Sequence, residues 1–260
     1  MNGTSDLTAA RAYYEEHGYY HARAVFGAEE LVPLADDYDR IVGQLLASGD
    51  ALNARWGNDE AMRELGAADS VVLHTNNVQQ YSARWMRALY HERFLAAARA
   101  LLGEDVVLHH TKLFQKPAGT GAPFPMHQDW SYFPTATDSM LAGIIHVSDA
   151  TDAMGCLRVY PGSHRLGRLP DSSGQRASES LAPYPIEDAT PVEAAAGDVV
   201  FFNYLTLHGS LPNRSERTRK TVLVQLYAGD DLPDVGVDHP DEKLVLSGWN
   251  HHAARNNTAA

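Results

Sequence analysis

Cysteine is almost absent from this 260-residue chain, in which Cys156 stands alone. A single thiol cannot form an internal disulfide, so the fold does not depend on oxidative cross-links. Such low cysteine use is typical of a reducing compartment. We interpret Cys156 as a small hydrophobic residue buried in a strand and not as a reactive thiol.

Long apolar runs are also missing. A helix that spans a bilayer needs roughly 20 consecutive apolar residues, and no stretch of this sequence approaches that length. The first residues contain no basic segment followed by an apolar core, which is the pattern of a secretory signal. We therefore expect a cytoplasmic protein with no membrane partner.

Positive charge is scarce. The sequence has 21 lysines and arginines against 33 aspartates and glutamates, which gives a formal net charge of −12. Non-specific nucleic-acid binding needs a basic surface that neutralises phosphates. The composition therefore argues against a nucleic-acid partner.

Histidine, in contrast, is plentiful, with 13 residues. His127 and Asp129 lie one residue apart in Pro-Met-His-Gln-Asp-Trp, so in a β-strand their side chains would point to the same face. His208, far downstream, could supply a third ligand from another strand. A two-histidine, one-carboxylate set is typical of non-haem iron(II) oxygenases, since it binds the metal on one side and leaves open positions opposite.

A second His-x-Asp triplet, His239-Pro240-Asp241, lies in an acidic segment rich in proline. Proline removes a ladder donor, so we interpret this triplet as a solvated loop. For His127 and Asp129 the alternative is a pair of buried polar residues satisfied by hydrogen bonds.

Strand patterns surround the first triplet. Val106–Lys116 and residues 140–147 are rich in apolar and β-branched residues. Residues 197–227 predict a hairpin in which His208 ends an apolar strand and Arg219 opens the return strand. There the planar guanidinium of Arg219 could capture a carboxylate beside the metal. Arg217 is the competing anchor.

Helical periodicity appears in residues 6–16, Ala28–Ala47 and 85–102, and residues 19–26 predict a short strand. These apolar stripes are most simply the core that braces one face of a barrel. We find no repeat and no linker, and the length suits one domain over residues 1–260.

Several motifs occur in a fixed order along the chain. They are Lys116-Pro-Ala-Gly, His127-Gln-Asp129 followed by Tyr132-Phe-Pro134, the Gly-Cys-Leu-Arg-Val-Tyr-Pro-Gly-Ser-His segment at 155–164, and His208-Gly-Ser210 with Arg219 eleven residues on. With these motifs the chain resembles the phytanoyl-CoA dioxygenase-like family of iron(II)/2-oxoglutarate-dependent oxygenases. The resemblance covers essentially the whole chain and is strongest over residues 108–227.

The resemblance implies a mainly β fold with flanking helices, namely a double-stranded β-helix or cupin-like jelly-roll barrel. It implies that iron(II) is bound by His127, Asp129 and His208, with 2-oxoglutarate and O2 as cosubstrates. Four residues are implied in 2-oxoglutarate binding: Arg219, Ser210, Lys112 and Phe114. The family spacing selects Arg219 over Arg217 for the distal carboxylate.

Loops with neither strand nor helix periodicity are candidates for substrate contact. We select four residues on this ground: Trp130, Tyr132, Asn76 and Gln79. The alternative for the two aromatic residues is packing around the metal strand, and for the two amides it is hydrogen bonding within a loop.

Four further histidines are left off the ligand set: His109, His110, His146 and His164. Adjacent residues of a strand face opposite sides, so we expect at most one of His109 and His110 to point inward.

The Asp129 carboxylate favours hydroxylation over halogenation, because halogenating relatives have a small residue at that position. We therefore expect a dioxygenase that hydroxylates a small molecule in a biosynthetic or tailoring pathway, with no side chain needed as a general base. One alternative is hydroxylation of an acyl thioester, which the shortage of basic residues disfavours because coenzyme A carries several phosphates. Another is a non-catalytic metal-binding jelly roll, against which Arg219 argues.

Overall fold

The computed structural model describes residues 3–49, 70–234 and 241–253. The α-helices of these segments are α1 (Gly3–His17), α2 (Ala28–Ala47), α3 (Val78–Tyr81), α4 (Ala83–Ala88) and α5 (Glu92–Leu102). The strands are β1 (Tyr19–Ala22), β2 (Leu73–Asn76), β3 (Val106–Lys116), β4 (Phe124–His127), β5 (Leu141–His146), β6 (Leu157–Val159), β7 (Thr190–Val192), β8 (Val199–Asn203), β9 (His208–Ser210), β10 (Arg219–Ala228) and β11 (Leu244–Ser247). Short 3₁₀ helices cover Asp129–Ser131, Asp152–Met154, Ser163–Leu166 and Ile186–Asp188.

The strands form two antiparallel sheets. The larger has the order β1-β8-β5-β10-β3-β11, with β2 also paired to β3, and the smaller has the order β4-β9-β6-β7. The architecture is a double-stranded β-helix, a jelly roll whose sheets enclose an interior. In the described residues no helix is long and apolar enough to cross a membrane.

Side-chain alternation gives the larger sheet two different faces. On β10, Val222 and Val224 belong to the main hydrophobic core, which also contains buried residues of α2 and α5. Arg219, Thr221 and Leu223, on the opposite face, line the interior cavity. The helices therefore cover the outer face of this sheet, and its inner face lines the cavity.

A β-bulge in β3 decides which side chains reach the interior. The register passes from Gln225 opposite His110 to Leu226 opposite Leu108, so the strand pairing skips one position at His109. As a result Leu108 and Leu113 lie in the same helix-side core although they are five residues apart. We expected the adjacent His109 and His110 to face opposite sides of the strand. At the bulge, both rings instead contact the Phe133 ring, with centroids at 5.5 and 5.3 Å.

Two predicted elements are shorter than expected. The strand predicted over residues 19–26 ends at Ala22, since Ala24 adopts a positive φ of 49°. The helix predicted over residues 85–102 is two helices, α4 and α5, separated by an extended His91. Both helices bury apolar residues in the same core, which explains why their periodicity looked continuous. The helix Ala28–Ala47 is confirmed, and α1 is slightly longer than predicted.

The predicted hairpin from His208 to Arg219 is wrong. The chain leaves the larger sheet at Asn203, whose side-chain oxygen accepts a hydrogen bond from Leu205 N at 2.9 Å and so supports a turn. β9, with His208, then lies in the smaller sheet between β4 and β6. β10, with Arg219, returns to the larger sheet between β5 and β3, so the two residues reach the interior from opposite walls.

Candidate metal centre and active site

His127, Asp129 and His208 form a buried cluster whose potential ligand atoms all lie within 4.8 Å of one another. Oδ1 of Asp129 is 3.4 Å from Nε2 of His127 and 3.6 Å from Nε2 of His208. Asp129 does not lie on the strand, because β4 ends at His127 and a 3₁₀ helix begins at Asp129. The extended backbone of Gln128 nevertheless keeps the alternation, so both side chains point to the same side.

Hydrogen bonds to the backbone orient both imidazoles. Nδ1 of His127 lies 2.8 Å from the carbonyl of Pro125, and Nδ1 of His208 lies 2.9 Å from that of Thr206. A carbonyl oxygen can only accept, so each Nδ1 carries the hydrogen and each Nε2 presents a lone pair to the cluster. This is the arrangement that metal-binding histidines adopt.

The charges of the cluster suit a divalent metal. Burial, and then the neighbouring His127, lower the pKa of His208 to about 4. Burial raises the pKa of Asp129, but His208, His127 and Lys112 outweigh it, so the pKa lies below its ordinary value. At neutral pH the site therefore offers a neutral imidazole at His208 and an ionised carboxylate, as metal binding requires.

The cluster lies in a cavity that also holds Arg219 and Ser210. The Nη1 of Arg219 donates to the carbonyl of Gly155, whereas its Nε is buried and has no hydrogen-bond partner in the described structure. Burial lowers the pKa of Arg219 to about 10, which leaves the guanidinium charged at neutral pH. A buried cation with an unsatisfied donor fits a carboxylate ligand.

Two further polar residues near Arg219 and Ser210 were not predicted from the sequence as site residues. Nζ of Lys116 lies 2.6 Å from Oγ of Ser210 and 2.8 Å from the carbonyl of Leu211. His146 lines the cavity with Nδ1 buried and, within the described segments, unpartnered, and burial lowers its pKa to about 3. The sequence signal for His146 was side-chain alternation on β5, which places it on the same face as Ala142 and Ile144.

The remaining 2-oxoglutarate candidates, Lys112 and Phe114, also line the cavity. Both belong to the inner face of β3, two and four residues beyond His110. Burial lowers the pKa of Lys112 to about 8, and the Asp129 carboxylate opposes the shift. Lys112 therefore places a cation at the metal end of the cavity.

The four substrate candidates occupy different places. Tyr132 lines the cavity and donates from its hydroxyl to the Ser173 carbonyl at 2.6 Å. Trp130 lies outside the cavity lining, and its Nε1 donates to Gln128 Oε1 and to Ser172 Oγ, both at 2.9 Å. Two amide candidates also lie outside the lining: Gln79, whose Oε1 accepts from Thr111 Oγ1 at 2.6 Å, and the exposed Asn76 on β2.

Of the residues left off the ligand set, His110 lines the cavity beside Phe133, and His164 lies near the backbone carbonyl of Glu15, outside the lining. His239 and Pro240 lie outside the described residues. Cys156 is buried, as predicted, but it lies just before β6 and not in the strand. Arg217 is paired with Asp149 at 3.2 Å on the exposed surface and not in the cavity.

The family profile described as "Phytanoyl-CoA dioxygenase (PhyH)" matches residues 14–221 of this chain. The chain belongs to this family. The family members bind iron and use 2-oxoglutarate, and this chain is accordingly a non-haem iron(II)- and 2-oxoglutarate-dependent dioxygenase.

Relatives of this family member support the assignment. It is 29% identical over 249 residues to the "Probable alpha-ketoglutarate-dependent hypophosphite dioxygenase" of Stutzerimonas stutzeri, which covers 90% of this chain and 84% of the relative. It is 27% identical over 231 residues to the "Ectoine dioxygenase" of Bordetella parapertussis, covering 81% of this chain and 72% of the relative. Its fold matches the epimerase SnoN solved with Fe3+, alpha ketoglutarate and nogalamycin RO, at TM-score 0.72 and 23% identity, over 95% of this chain and 97% of SnoN.

Proposed function

We propose that this dioxygenase hydroxylates a small molecule in a biosynthetic or tailoring pathway. The observation that carries the proposal is the shared cavity: a two-histidine, one-carboxylate cluster and a buried arginine line the same cavity. His127, Asp129 and His208 bind iron(II) on one side. Arg219 and Ser210 bind the distal carboxylate of 2-oxoglutarate, while Lys112 and Phe114 border the cosubstrate.

The donor set fits both groups. Two imidazoles and a carboxylate match iron(II) in ligand type, and the unsatisfied Nε of Arg219 matches a carboxylate oxygen. Iron(II) and 2-oxoglutarate supply the oxidising chemistry by which O2 is activated and 2-oxoglutarate becomes succinate. The protein supplies binding, orientation and exclusion of water.

Exclusion of water follows from the apolar part of the cavity wall. Aromatic and aliphatic side chains from both sheets line it: Phe114, Phe124, Ile144, Leu157, Phe202 and Leu223. In such surroundings charge interactions are stronger than in water, so Arg219 and Asp129 act with little screening. No proton transfer by a side chain is required.

The substrate half of the cavity is bordered by Tyr132 and Phe133, which follow the metal-binding Asp129 on the chain. Tyr132 contacts substrate directly in this proposal, and Trp130 acts by holding the 172–173 segment next to the metal strand. Asn76 and Gln79 are the outermost candidates, on and just after β2. A substrate C–H bond held near the iron leads to hydroxylation, and the Asp129 carboxylate fills the position that halogenating relatives leave open.

An acyl-thioester substrate is the second candidate, and it lacks a favouring observation. Coenzyme A phosphates would need a basic surface near the cavity mouth. Arg168, which packs on the Trp130 ring, is already paired with Asp138 at 2.8 Å. Retention of activity on small substrates, and none on thioesters, would distinguish the two candidates.

Anaerobic titration tests the proposed centre. Iron(II)-loaded protein is titrated with 2-oxoglutarate while the visible charge-transfer band of a chelated oxoacid is followed. We expect the band in the wild type and in His251→Ala, which alters an exposed histidine paired with Asp105, and its loss in His127→Ala. Bound iron without the band would contradict the proposal and favour a metal-binding protein.

A further inference from the structure

We propose that Lys116 is a positioning residue that turns the Ser210 hydroxyl into a hydrogen-bond donor toward the distal carboxylate of 2-oxoglutarate. The inference rests on the proposed function, in which that carboxylate lies at Arg219. It adds a residue to the cosubstrate site that acts through another side chain and not by direct contact.

The geometry places Lys116 behind Ser210. Lys116 and Arg219 are direct partners across β3 and β10, and Lys116 is fully buried at 0% exposure. Its Nζ lies 2.6 Å from Ser210 Oγ and 5.2 Å from the centroid of the Phe124 ring. Ser210 and Arg219 both line the cavity.

The direction of the hydrogen bond follows from the chemistry of the two groups. A lysine ammonium has three donors and no acceptor. Nζ donates to the Leu211 carbonyl at 2.8 Å and to Ser210 Oγ. Because Ser210 Oγ accepts this bond, its own hydrogen remains to be donated elsewhere. Ser210 lines the same cavity as Arg219, so a carboxylate bound there is an available acceptor.

The charge of Lys116 gives a second reason. The two groups that accept from its Nζ, a hydroxyl and a backbone carbonyl, are both neutral. Burial, and then the charge of Arg219, lower the pKa of Lys116 well below its ordinary value. A buried lysine is costly unless a negative charge lies near it. A bound dicarboxylate supplies that charge and favours the ammonium form.

A double-mutant cycle separates this role from a structural one. The variants are Lys116→Met, Ser210→Ala and the double variant, with Lys220→Met as the control because Lys220 neighbours Arg219 but is paired with Asp39 outside the cavity. The dissociation constant of 2-oxoglutarate is measured anaerobically from the charge-transfer band. 2-Oxopentanoate, which lacks the distal carboxylate, is titrated in parallel.

We expect each single variant to weaken 2-oxoglutarate binding by about tenfold, as for one hydrogen bond to a charged group. The double variant should lose no more than Ser210→Ala alone, because Lys116 acts through Ser210. Binding of 2-oxopentanoate should be unchanged in all variants. The control variant should bind 2-oxoglutarate as tightly as the wild type does. If Lys116→Met does not fold, Lys116→Gln, which keeps a donor for the Leu211 carbonyl, replaces it in the cycle.

Two results would overturn the inference. One is a double variant whose loss is the product of the single losses, about 100-fold, since independent contributions multiply. The other is an equal loss for 2-oxoglutarate and 2-oxopentanoate, which would indicate a structural role. Neither affects the proposed function, which fails only if wild-type protein does not chelate 2-oxoglutarate.

Discussion

His127 and His208 are direct partners across β4 and β9, and their ring centroids lie 4.1 Å apart. Each Nδ1 is directed at a backbone carbonyl, and both Nε2 atoms approach Asp129. The register of these two short strands therefore brings the two imidazoles together beside the Asp129 carboxylate, an arrangement that suits a cation.

Replacing the carboxylate should remove catalysis. Asp129→Ala deletes the anionic ligand, and we expect iron(II) affinity and hydroxylation to fall by more than about 100-fold, the upper range for loss of an outer-shell partner. Iron(II) binding and turnover of 2-oxoglutarate measure the effect. Asp39→Ala, at an exposed carboxylate paired with Lys220, is the control; normal turnover in Asp129→Ala would contradict the ligand assignment.

Arg217 and Arg219, which lie two residues apart, provide a matched pair of substitutions. Arg219→Ala should weaken 2-oxoglutarate binding by roughly 10- to 100-fold, as expected for loss of hydrogen bonds to a charged group, and should leave metal affinity almost unchanged. Arg217→Ala alters a surface ion pair and should change neither. The Michaelis constant for 2-oxoglutarate distinguishes them. An unchanged constant in Arg219→Ala would show that the anchor lies elsewhere.

Gly155 should tolerate no side chain. Its φ is +66°, and a Cβ there would lie 2.1 Å from the carbonyl oxygen of Leu211, which accepts from Lys116. Its own carbonyl accepts from Arg219. We expect Gly155→Ala to lower the free energy of unfolding by several kcal/mol and to weaken 2-oxoglutarate binding.

Gly119 serves as the control for that substitution. Its φ is +68° and a Cβ would meet nothing within 4 Å, so Gly119→Ala should cost only the backbone strain of about 1–2 kcal/mol. Denaturant unfolding of both variants gives the comparison. Equal losses would mean that backbone strain, and not the clash with Leu211, limits position 155.

Asp231 should make stability depend on pH in the acid range. Burial raises its pKa, but hydrogen bonds from Ser139 and other donors outweigh this and hold the pKa at about 2, below the ordinary value of an aspartate. A lowered folded-state pKa contributes stability that is fully present well above the unfolded pKa and is lost as the pH falls through the folded value of about 2. The shift corresponds to roughly 1–2 kcal/mol, allowing for solvent screening.

Asp231→Asn tests this contribution. The variant should be less stable than wild type at pH 7, and the difference should shrink between pH 4 and pH 2. Urea unfolding at a series of pH values measures it, with Asp39→Asn as the surface control. A difference that stays constant over this pH range would assign the stabilisation to something other than the charge of Asp231.

Local patterns in the sequence were sufficient to predict the fold class and the family. The alternation of β3 and β5 and the periodicity of α2 depend only on neighbours along the chain. The order of the His127-Gln-Asp129 and His208-Gly-Ser210 motifs can also be read directly from the sequence. Hydrophobic periodicity reports on local structure, which is why those elements were predictable. The proposed metal ligands were selected from the family resemblance and not from local geometry alone.

Tertiary structure decided which side chains reach the cavity. The bulge at His109 shifts the face of β3, and a register shift between Phe124 and His127 lets both residues line the cavity although they are three apart. The pairing of Lys116 with Ser210 joins residues 94 positions apart. Such contacts depend on strand partners that are distant in sequence, so alternation along one strand could not predict them.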